Sequence, residues 1–430
     1  YPESALMTTP ANLTLALLRD AVAGDAVAIR SVTRLEPAGG SGDKVFPPTY
    51  VKDGKSQTKY AMEERIAEGG RVQTVLLDSV ASQANRIEEA LLEGWRRGEL
   101  IFPVVSVDFG EVEGLADLEQ ITSLQAPHRI ADALLRDSVD ASGTPFRQTA
   151  VGKECTDARP NHATGMYKHC PTALVFGVWD STGPKGGLGA KFQRNLVSEI
   201  VGYNVVAGVK TASRIDPAAI EKKAGPIYEA KRDPREWTSI EAEAATEKGK
   251  PKLFSRKGAG DKGTPATINH GNIPPTIDVE AGGVTMSHAV QTTVLSLAGL
   301  RRLRFQQRVD GRPIVPSDRD AAEAAARTAL AALALAGVVY QRKNGYDLRS
   351  RSLLVSQEPL AFEVLGSNGE RPRYTIVDAA DLLRDAVRAA DEHGLGWDAT
   401  PVMLKPTPKL AYLIVKSRQL TAAGDTEDTG

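Results

Sequence analysis

Apolar side chains recur at helical spacing in five stretches of the chain. The clearest stretch covers residues 79–97, where Val80, Ala84, Ile87 and Leu91 fall on one helical face. The same periodicity predicts four further helices, over residues 12–22, 128–138, 318–336 and 378–393. The chain therefore contains helices that need a buried partner surface.

Runs of aliphatic and β-branched residues predict the strands. These runs cover residues 27–35, 72–77, 172–178 and 410–415. Residues 284–300 fit either a strand or a buried helix, and the pattern leaves both open. Asp78 is placed to cap the helix that follows the second strand, and Asp318 and Gly337 are placed to begin and end one of the later helices.

Long segments without clear periodicity separate these helices and strands. Residues 39–70 open with three glycines and two adjacent prolines, which break regular structure, and residues 98–171 show only weak periodicity. Residues 216–278 are rich in Lys, Glu, Gly and Pro and predict a mobile insertion, within which 248–262 forms a basic loop. We expect the tail 421–430 to be disordered, and no internal repeat is visible.

Composition excludes little by itself. Apolar residues make up 41% of the 430 residues and charged residues 25%, as in a soluble globular protein. The net charge of -1 neither requires nor excludes nucleic acid, but an aromatic content of 5% disfavours a general single-strand binder built on base stacking. Glu323 and Arg327 interrupt the longest apolar run, and no signal peptide is visible, so we expect a cytoplasmic protein without a membrane partner.

The sequence offers no compact metal site. Cys155, His162, His169 and Cys170 lack the paired short spacings of structural zinc sites, which favours two free thiols. No short-range group of carboxylates or histidines suits a metal-dependent nuclease, and no serine-hydrolase elbow is present, although long-range triads stay open. We therefore expect no cofactor, no metal and no enzymatic activity.

A Gly- and Lys-rich segment, residues 181–192, offers candidate phosphate-binding chemistry. Its glycines leave backbone amides accessible to phosphate oxygens. It departs from the Walker A motif because Ala190 separates Gly189 from Lys191, and Phe192 stands where a hydroxyl is needed. Phosphate within a nucleic acid fits best. An ordinary turn with solvated lysines and a phosphate-loop nucleotide-binding enzyme are the alternatives.

The polar side of the helix 79–97 offers a second candidate surface. Ser82, Asn85, Arg86 and Glu89 lie away from its apolar face. Amides and one arginine suit hydrogen bonding to a sugar-phosphate backbone, although an ordinary solvated face has the same composition.

Four segments together resemble one known family. They are LEPAGG with GDKVFPPTY at 35–50, LLDSVASQANR at 76–86, TSLQAPHR at 122–129, and VFGVWDSTGPKGG continuing to FQR at 175–194. This joint pattern is similar to the RAMP-superfamily backbone subunit (the Cas-seven type) of type I-G, formerly I-U, CRISPR Cascade. The similarity is dense over the first half of the chain and loose over the second.

The resemblance implies an α+β fold shaped like a right hand, with an RRM/ferredoxin-like palm and with thumb and finger insertions. The implied parts are 1–38, start of the palm; 39–70, thumb-like insertion; 71–97, palm strand and helix; 98–171, finger-like insertion; 172–215, palm with the Gly/Lys loop; 216–283, mobile basic insertion; 284–420, C-terminal palm and packing helices; and 421–430, disordered tail.

The resemblance also implies a function and partners. Such subunits bind the guide crRNA, assemble as further copies of themselves in a helical filament, and present the guide for pairing with target DNA. Other Cascade subunits, a large subunit and a crRNA-processing end subunit, complete the complex. Type III relatives cut RNA with an Asp after the first strand, and Asp43 sits in a comparable place, so an RNA-cleaving subunit is an alternative.

Family resemblance and residue chemistry together nominate eleven RNA-binding residues. They are Lys44, Gln83, Asn85, Arg86, His128, Arg129, Ser181, Lys185, Lys191, Arg194 and Arg214. Most of them are assigned to the guide backbone. Arg214 and the segment 248–262 are the candidates for facing target DNA.

Overall fold

The structure is a computed structural model that describes residues 10–52, 54, 56–67, 69–183, 189–221, 223–255 and 262–422. The chain divides into two compact units. The first comprises Tyr1–Pro48, Ala61–Val205 and Met286–Ser417, and the second comprises Thr49–Tyr60, Val206–Thr285 and Arg418–Gly430. The domain boundaries expected from the sequence stay predictions.

The helices of the described residues are, in chain order, α1 Leu15–Ala23, α2 Val80–Arg96, α3 Ala133–Arg136, α4 Ala150–Asp157, α5 Thr164–His169, α6 Pro171–Phe176, α7 Leu297–Leu300, α8 Arg319–Asn344, α9 Ala379–Asp391 and α10 Pro408–Ala422. The predicted helices 12–22, 79–97 and 378–393 are confirmed as α1, α2 and α9.

The strands, over the same part of the chain, are β1 Ala11–Asn12, β2 Ala28–Pro37, β3 Met62–Ala67, β4 Gly70–Asp78, β5 Val105–Asp108, β6 Gln120–Thr122, β7 Ser138–Val139, β8 Val178–Trp179, β9 Lys191–Phe192, β10 Leu196–Tyr203, β11 Val206–Ala207, β12 Lys210–Arg214, β13 Tyr228–Ala230, β14 Asp233–Thr238, β15 Thr246–Glu247, β16 Lys250–Pro251, β17 Ile273–Asp278, β18 Val284–Thr285, β19 His288–Ser296, β20 Tyr346–Asp347, β21 Leu353–Ser356, β22 Phe362–Leu365, β23 Arg373–Thr375 and β24 Val402–Pro406. The fold is α+β, as expected, and the predicted strands 27–35 and 72–77 are confirmed as β2 and β4.

A mixed sheet of ten strands, counted over the described residues, organises the first unit. Its central strands run in the order β22-β2-β19-β10-β4, and each neighbouring pair is antiparallel. Along the chain β2 is followed by the hairpin β3–β4, then α2, β10 and β19, and α8 is followed by β20, β21 and β22. The strands β2 and β10 are parallel, with β19 between them, and β19 and β22 are parallel, with β2 between them. Side chains of β19 alternate between buried and half-buried, as a strand with one covered face requires.

The helix α8 runs through the core of the first unit. A Cβ added at Gly337 would lie 2.6 Å from Ile87 Cγ2, so this glycine permits close packing of α8 against α2. The helix continues to Asn344, and the predicted end at Gly337 is therefore wrong. By length and composition α8 could cross a membrane, but 89% of its apolar window is buried inside the protein, as expected of a core helix.

Two short apolar runs that predict strands are helices. Residues 172–176 belong to α6, which has Pro171 at its start and buries every side chain. Residues 410–415 belong to α10. The predictions of strands at 172–178 and 410–415 are wrong, apart from Val178 in β8, because a short apolar run suits a buried strand or a buried helix equally.

The predicted helix 128–138 is also wrong, because the chain breaks inside it. Arg129 has a φ of 53°, in the left-handed region, and begins the short 3₁₀ turn Arg129–Ala131. Asp132 then caps α3 by accepting a hydrogen bond from the Leu134 N–H at 2.9 Å. The undecided segment 284–300 is mostly strand, forming β18 and β19 before the short helix α7.

The start of α2 corrects two further expectations. Ser79, not Asp78, is the N-cap, and its Oγ accepts a hydrogen bond from the Ser82 N–H at 3.3 Å. Asp78 is instead the buried last residue of β4. The excursion 39–70 contains β3, which pairs with β4 as a hairpin.

The second unit consists of antiparallel ribbons of two strands in its described residues. The pairs are β11 with β18, β12 with β17, β13 with β14, and β15 with β16. The mobility predicted for 216–278 stays a prediction. Part of the basic loop 248–262, residues 256–261, and most of the predicted tail, residues 423–430, lie outside the described residues.

Candidate nucleic-acid interface

Gln83 lies at the centre of a hydrogen-bond network beneath α2. Its amide nitrogen donates to Asp78 Oδ2 at 2.6 Å. Its amide oxygen accepts from Ser198 Oγ at 3.0 Å, Gln291 Nε2 at 2.9 Å and Gln341 Nε2 at 3.1 Å. The side chain is fully buried. Gln83 therefore joins α2 to the sheet and to α8, and it presents no polar group to RNA at the surface, contrary to the sequence-based assignment.

Arg86 also points into the protein. Its Nε donates to Asp78 Oδ2 at 3.0 Å, and its two terminal nitrogens donate to the carbonyls of Asp347 and Leu348. The Arg349 guanidinium approaches the second oxygen, Asp78 Oδ1, at 3.8 Å. Two guanidinium groups thus balance one buried carboxylate and tie the loop after β20 to the start of α2. The Arg86 side chain is 29% exposed, so its guanidinium is engaged within the protein but not buried, and its RNA contact stays a prediction.

The same loop supports the segment that carries Lys44. Ser352 Oγ donates to the Phe46 carbonyl at 2.6 Å and accepts from the Phe46 N–H at 3.0 Å. Arg351 covers the Phe46 ring, with 4.2 Å between its guanidinium carbon and the ring centroid. Arg351 is exposed and Lys44 is half-buried. Phe46 therefore fastens together two loops that each carry a basic residue.

Arg129, another predicted RNA contact, forms a buried ion pair. Its Nε and Nη2 donate to the two Glu88 carboxylate oxygens at 2.7 and 2.6 Å, and its Nη1 donates to the Gly177 carbonyl at 3.1 Å. Burial raises the pKa of Glu88 to about 7, although the arginine pulls that pKa down. These hydrogen bonds connect α2 to the residue before β8. Arg129 is only 7% exposed, so its guanidinium does not reach solvent, contrary to the predicted contact with RNA.

The hairpin β8–β9 holds an exposed tryptophan beside an exposed lysine. Trp179 and Lys191 are direct cross-strand partners, and Lys191 Nζ lies 5.0 Å from the centre of the indole ring. Trp179 is 55% exposed, whereas Val178 and Phe192, on the opposite face of the hairpin, are buried. The hairpin therefore anchors one face in the core and presents an aromatic ring and a cation on the other.

Further cations lie beside this hairpin. Gln193 follows Lys191 on the same exposed side, and its Oε1 accepts from Arg302 Nη1 at 2.9 Å. Arg194 is half-buried, its Nε donates to the Phe176 carbonyl at 3.1 Å, and burial lowers its pKa. We call Trp179, Lys191, Gln193 and Arg302 the hairpin surface.

The acidic residue next to the hairpin surface is neutralised. Asp180 is buried, and its Oδ1 accepts from Arg147 Nη2 at 2.7 Å. Arg147 also donates to the Thr182 carbonyl at 3.2 Å, which holds the beginning of the Gly/Lys loop. Asp180 therefore does not oppose the positive charges of Lys191 and Arg302 on the hairpin surface.

The remaining predicted contacts are scattered. Asn85, His128 and Ser181 are exposed, and Lys185 lies outside the described residues. Arg214 belongs to the second unit, where its guanidinium donates to the carbonyls of residues 270 and 271 at 2.9 Å. Of the sequence-based set, the structure brings Lys191 into an exposed basic surface, leaves Arg86 half-buried, and takes Gln83 and Arg129 into the interior.

Neither thiol lies in a metal-binding arrangement within the described part of the chain. Cys155 and Cys170 are free and buried, and burial raises both thiol pKa values. His169 Nε2 contacts Glu154 Oε2 at 2.8 Å. Among the described residues there is no group of three His, Cys, Asp or Glu side chains that could hold an ion.

Four surface residues, Trp179, Gln193, Arg302 and Arg351, escaped the sequence-based set. Gln193 lies in the same motif, 175–194, as Trp179. Trp179 stands inside the most specific motif, at 175–194, and its position between a buried Val178 and the loop was a usable signal. Arg302 and Arg351 gave no such signal, because only the folded chain brings them to the Gln193 amide and to the Phe46 ring.

Comparison with known proteins points to the same region. Residues 29–207 match the profile of a family described as CRISPR-associated protein GSU0053, which is less than half of the chain. No curated protein matches. A similar solved structure is the crystal structure of Thermofilum pendens Csc2, with 13% identity, a TM-score of 0.25 and coverage of 94% of this chain and 80% of that chain. Residues 29–207 are thus similar to a CRISPR-associated protein family, and the matched residues contain the whole hairpin surface except Arg302.

Proposed function

We propose that this protein is the Cas-seven-type backbone subunit of a type I-G CRISPR Cascade, which binds guide crRNA and presents it for pairing with target DNA. The observation that carries the proposal is the match of residues 29–207 to a CRISPR-associated family. Apart from the added strands β3, β4, β20 and β21, the β2-α2-β10-β19-α8-β22 order supports an RRM/ferredoxin-like palm, since that order of strands and helices defines the ferredoxin-like motif.

The hairpin surface is the proposed contact with the guide backbone. Lys191 and Arg302 supply cations, and Gln193 supplies an amide; all three are groups that bind phosphate and sugar oxygens. Such contacts fix the position of a strand without reading its sequence. Guide pairing then provides the sequence specificity.

The proposed assembly follows from a repeated contact between identical chains. Copies that meet head to tail without closing a ring form a helical filament, which suits a backbone that coats RNA. The other proposed partners are a large subunit, a crRNA-processing end subunit and target DNA. The subunit acts in the cytoplasm, as a scaffold without a catalytic step of its own.

The first experiment tests the function as a whole. The tagged full chain is purified from its native host, and any RNA that comes with it is sequenced. Uniform short RNAs carrying repeat and spacer sequence, in a particle much heavier than 45.9 kDa, are expected. A monomer free of RNA at low salt that binds ATP or GTP saturably would instead support a phosphate-loop enzyme.

The second experiment tests the surface. Lys191→Ala should weaken guide binding equally for all sequences and lower the slope of log affinity against log salt by about one. Lys343→Ala is the matched control, because Lys343 also lies over an aromatic ring, 4.8 Å from the centre of Tyr340. Equal affinities and salt slopes for the two variants would refute the placement of the guide on the hairpin.

A further inference from the structure

The backbone of Trp179 is held in a β-hairpin, but its side chain is exposed to solvent. Its cross-strand pairing with Lys191 fixes the backbone, and the ammonium group covers one face of the indole. The side chain is nevertheless 55% exposed, so much of the ring surface is open to solvent. Within the described part of the chain, no other aromatic ring stacks on Trp179. An exposed indole beside an exposed cation offers the two groups that bind a base and its phosphate.

We infer that the open face of Trp179 stacks against one unpaired nucleobase of the bound strand; the inference rests on the proposed function and deepens it. A nucleotide offers a flat π-face next to a negatively charged phosphate. The hairpin surface offers an indole next to Lys191, whose ammonium has three donors and can bind a phosphate while it lies over the ring.

Charge favours a nucleic acid over a protein at this position. Asp180, the nearest carboxylate in sequence, is buried and paired with Arg147 at 2.7 Å, so it repels no phosphate. Lys191 and Arg302 remain on the exposed side. An apolar protein contact would gain nothing from two flanking cations, whereas stacking beside a phosphate uses both.

Stacking and phosphate binding respond differently to salt, which makes the inference testable. Losing a stacked base removes affinity but no counterion release, so Trp179→Ala should weaken binding about tenfold and leave the salt slope unchanged. Trp179→Phe keeps a π-face and should retain most of the affinity. The Lys191→Ala variant, in contrast, changes the slope.

The experiment uses the full chain and single-stranded oligoribonucleotides carrying 2-aminopurine at successive positions. Stacking on Trp179 predicts strong quenching at one position, lost in Trp179→Ala and kept in Trp179→Phe. Trp237→Ala is the matched control, because Trp237 is also exposed, at 46%. Melting temperatures establish whether each variant folds. If Trp179→Ala does not fold, the quenching measured with wild type and Trp179→Phe still tests the stacking.

Two outcomes would overturn the inference. Unchanged affinity and quenching in Trp179→Ala would show that no base lies on the ring. Loss of self-association with unchanged RNA affinity would show that the ring contacts another copy of the chain. If the wild type binds no RNA at all, the proposed function fails together with the inference. If the wild type binds RNA and Trp179→Ala binds equally well, only the inference about the base fails.

Discussion

Replacing Arg129 by alanine should lower the free energy of unfolding by about 3–5 kcal/mol, the usual cost of removing one partner of a buried ion pair. The carboxylate of Glu88 is 1% exposed and would lose both of its short hydrogen bonds, at 2.6 and 2.7 Å. The Gly177 carbonyl would lose a third. These losses fall on the contact that links α2 to the hairpin β8–β9.

The destabilisation caused by Arg129→Ala should become larger as the pH rises. Burial already raises the pKa of Glu88 from 4.5 to about 7, and removing the arginine removes a group that lowers it. The folded variant therefore binds a proton that the unfolded chain releases, and its stability falls as the pH rises from about 4.5 through the folded pKa. The deficit relative to wild type should be larger at about pH 8 than at about pH 6.

Urea unfolding of wild type and Arg129→Ala at the two pH values measures this deficit. Arg97→Ala is the matched control, because Arg97 pairs with Glu99 at 2.7 Å on the surface, where an ion pair contributes little. A deficit no larger than that of the control, or one that is the same at both pH values, would refute the account of the buried pair.

Two further changes test the packing and the network of the core. Gly337→Ala should cost about 1–3 kcal/mol by overpacking against Ile87, measured as a lower melting temperature beside an Ala321→Gly control on the exposed first turn of α8. Gln83→Leu should cost about 2–4 kcal/mol, because Asp78, Ser198, Gln291 and Gln341 each lose a buried hydrogen bond, whereas the exposed Asn85→Ala should change stability by less than about 0.5 kcal/mol. Equal effects of Gln83→Leu and Asn85→Ala would contradict the network.

The sequence predicts elements well where a single period dominates. The apolar positions of α2 repeat over 17 residues, long enough to identify a helix and its buried face. The six-residue run of α6 carries no such information, because all its side chains are buried and no polar face reveals the period. Gly337 resembles a helix end locally, and only the neighbouring Ile87 shows why a glycine stands in mid-helix.

The same distinction applies to the candidate functional residues, because a local pattern predicts the position of some of them and not the partners of others. Gln83 stands four residues before Ile87, on the apolar side of α2, so its burial follows from the helical period. The partners of Arg86, in contrast, are Asp78 and the carbonyls of residues 347 and 348, and no pattern within α2 predicts them. Lys191, by contrast, alternates with the buried Phe192 on a short strand, and that local pattern is enough to place it outside.

The position of β2 in the sheet has a consequence for synthesis of the protein. Its neighbour β19 begins about 250 residues after β2 ends, which a ribosome adding about 5–20 residues per second reaches after about 12–50 s. Until then β2 emerges from the exit tunnel with both edges unpaired, and α2 lacks the helix that covers Ile87. The N-terminal half of the chain therefore exposes an unpaired strand during translation, and its folding is completed only when the C-terminal third arrives.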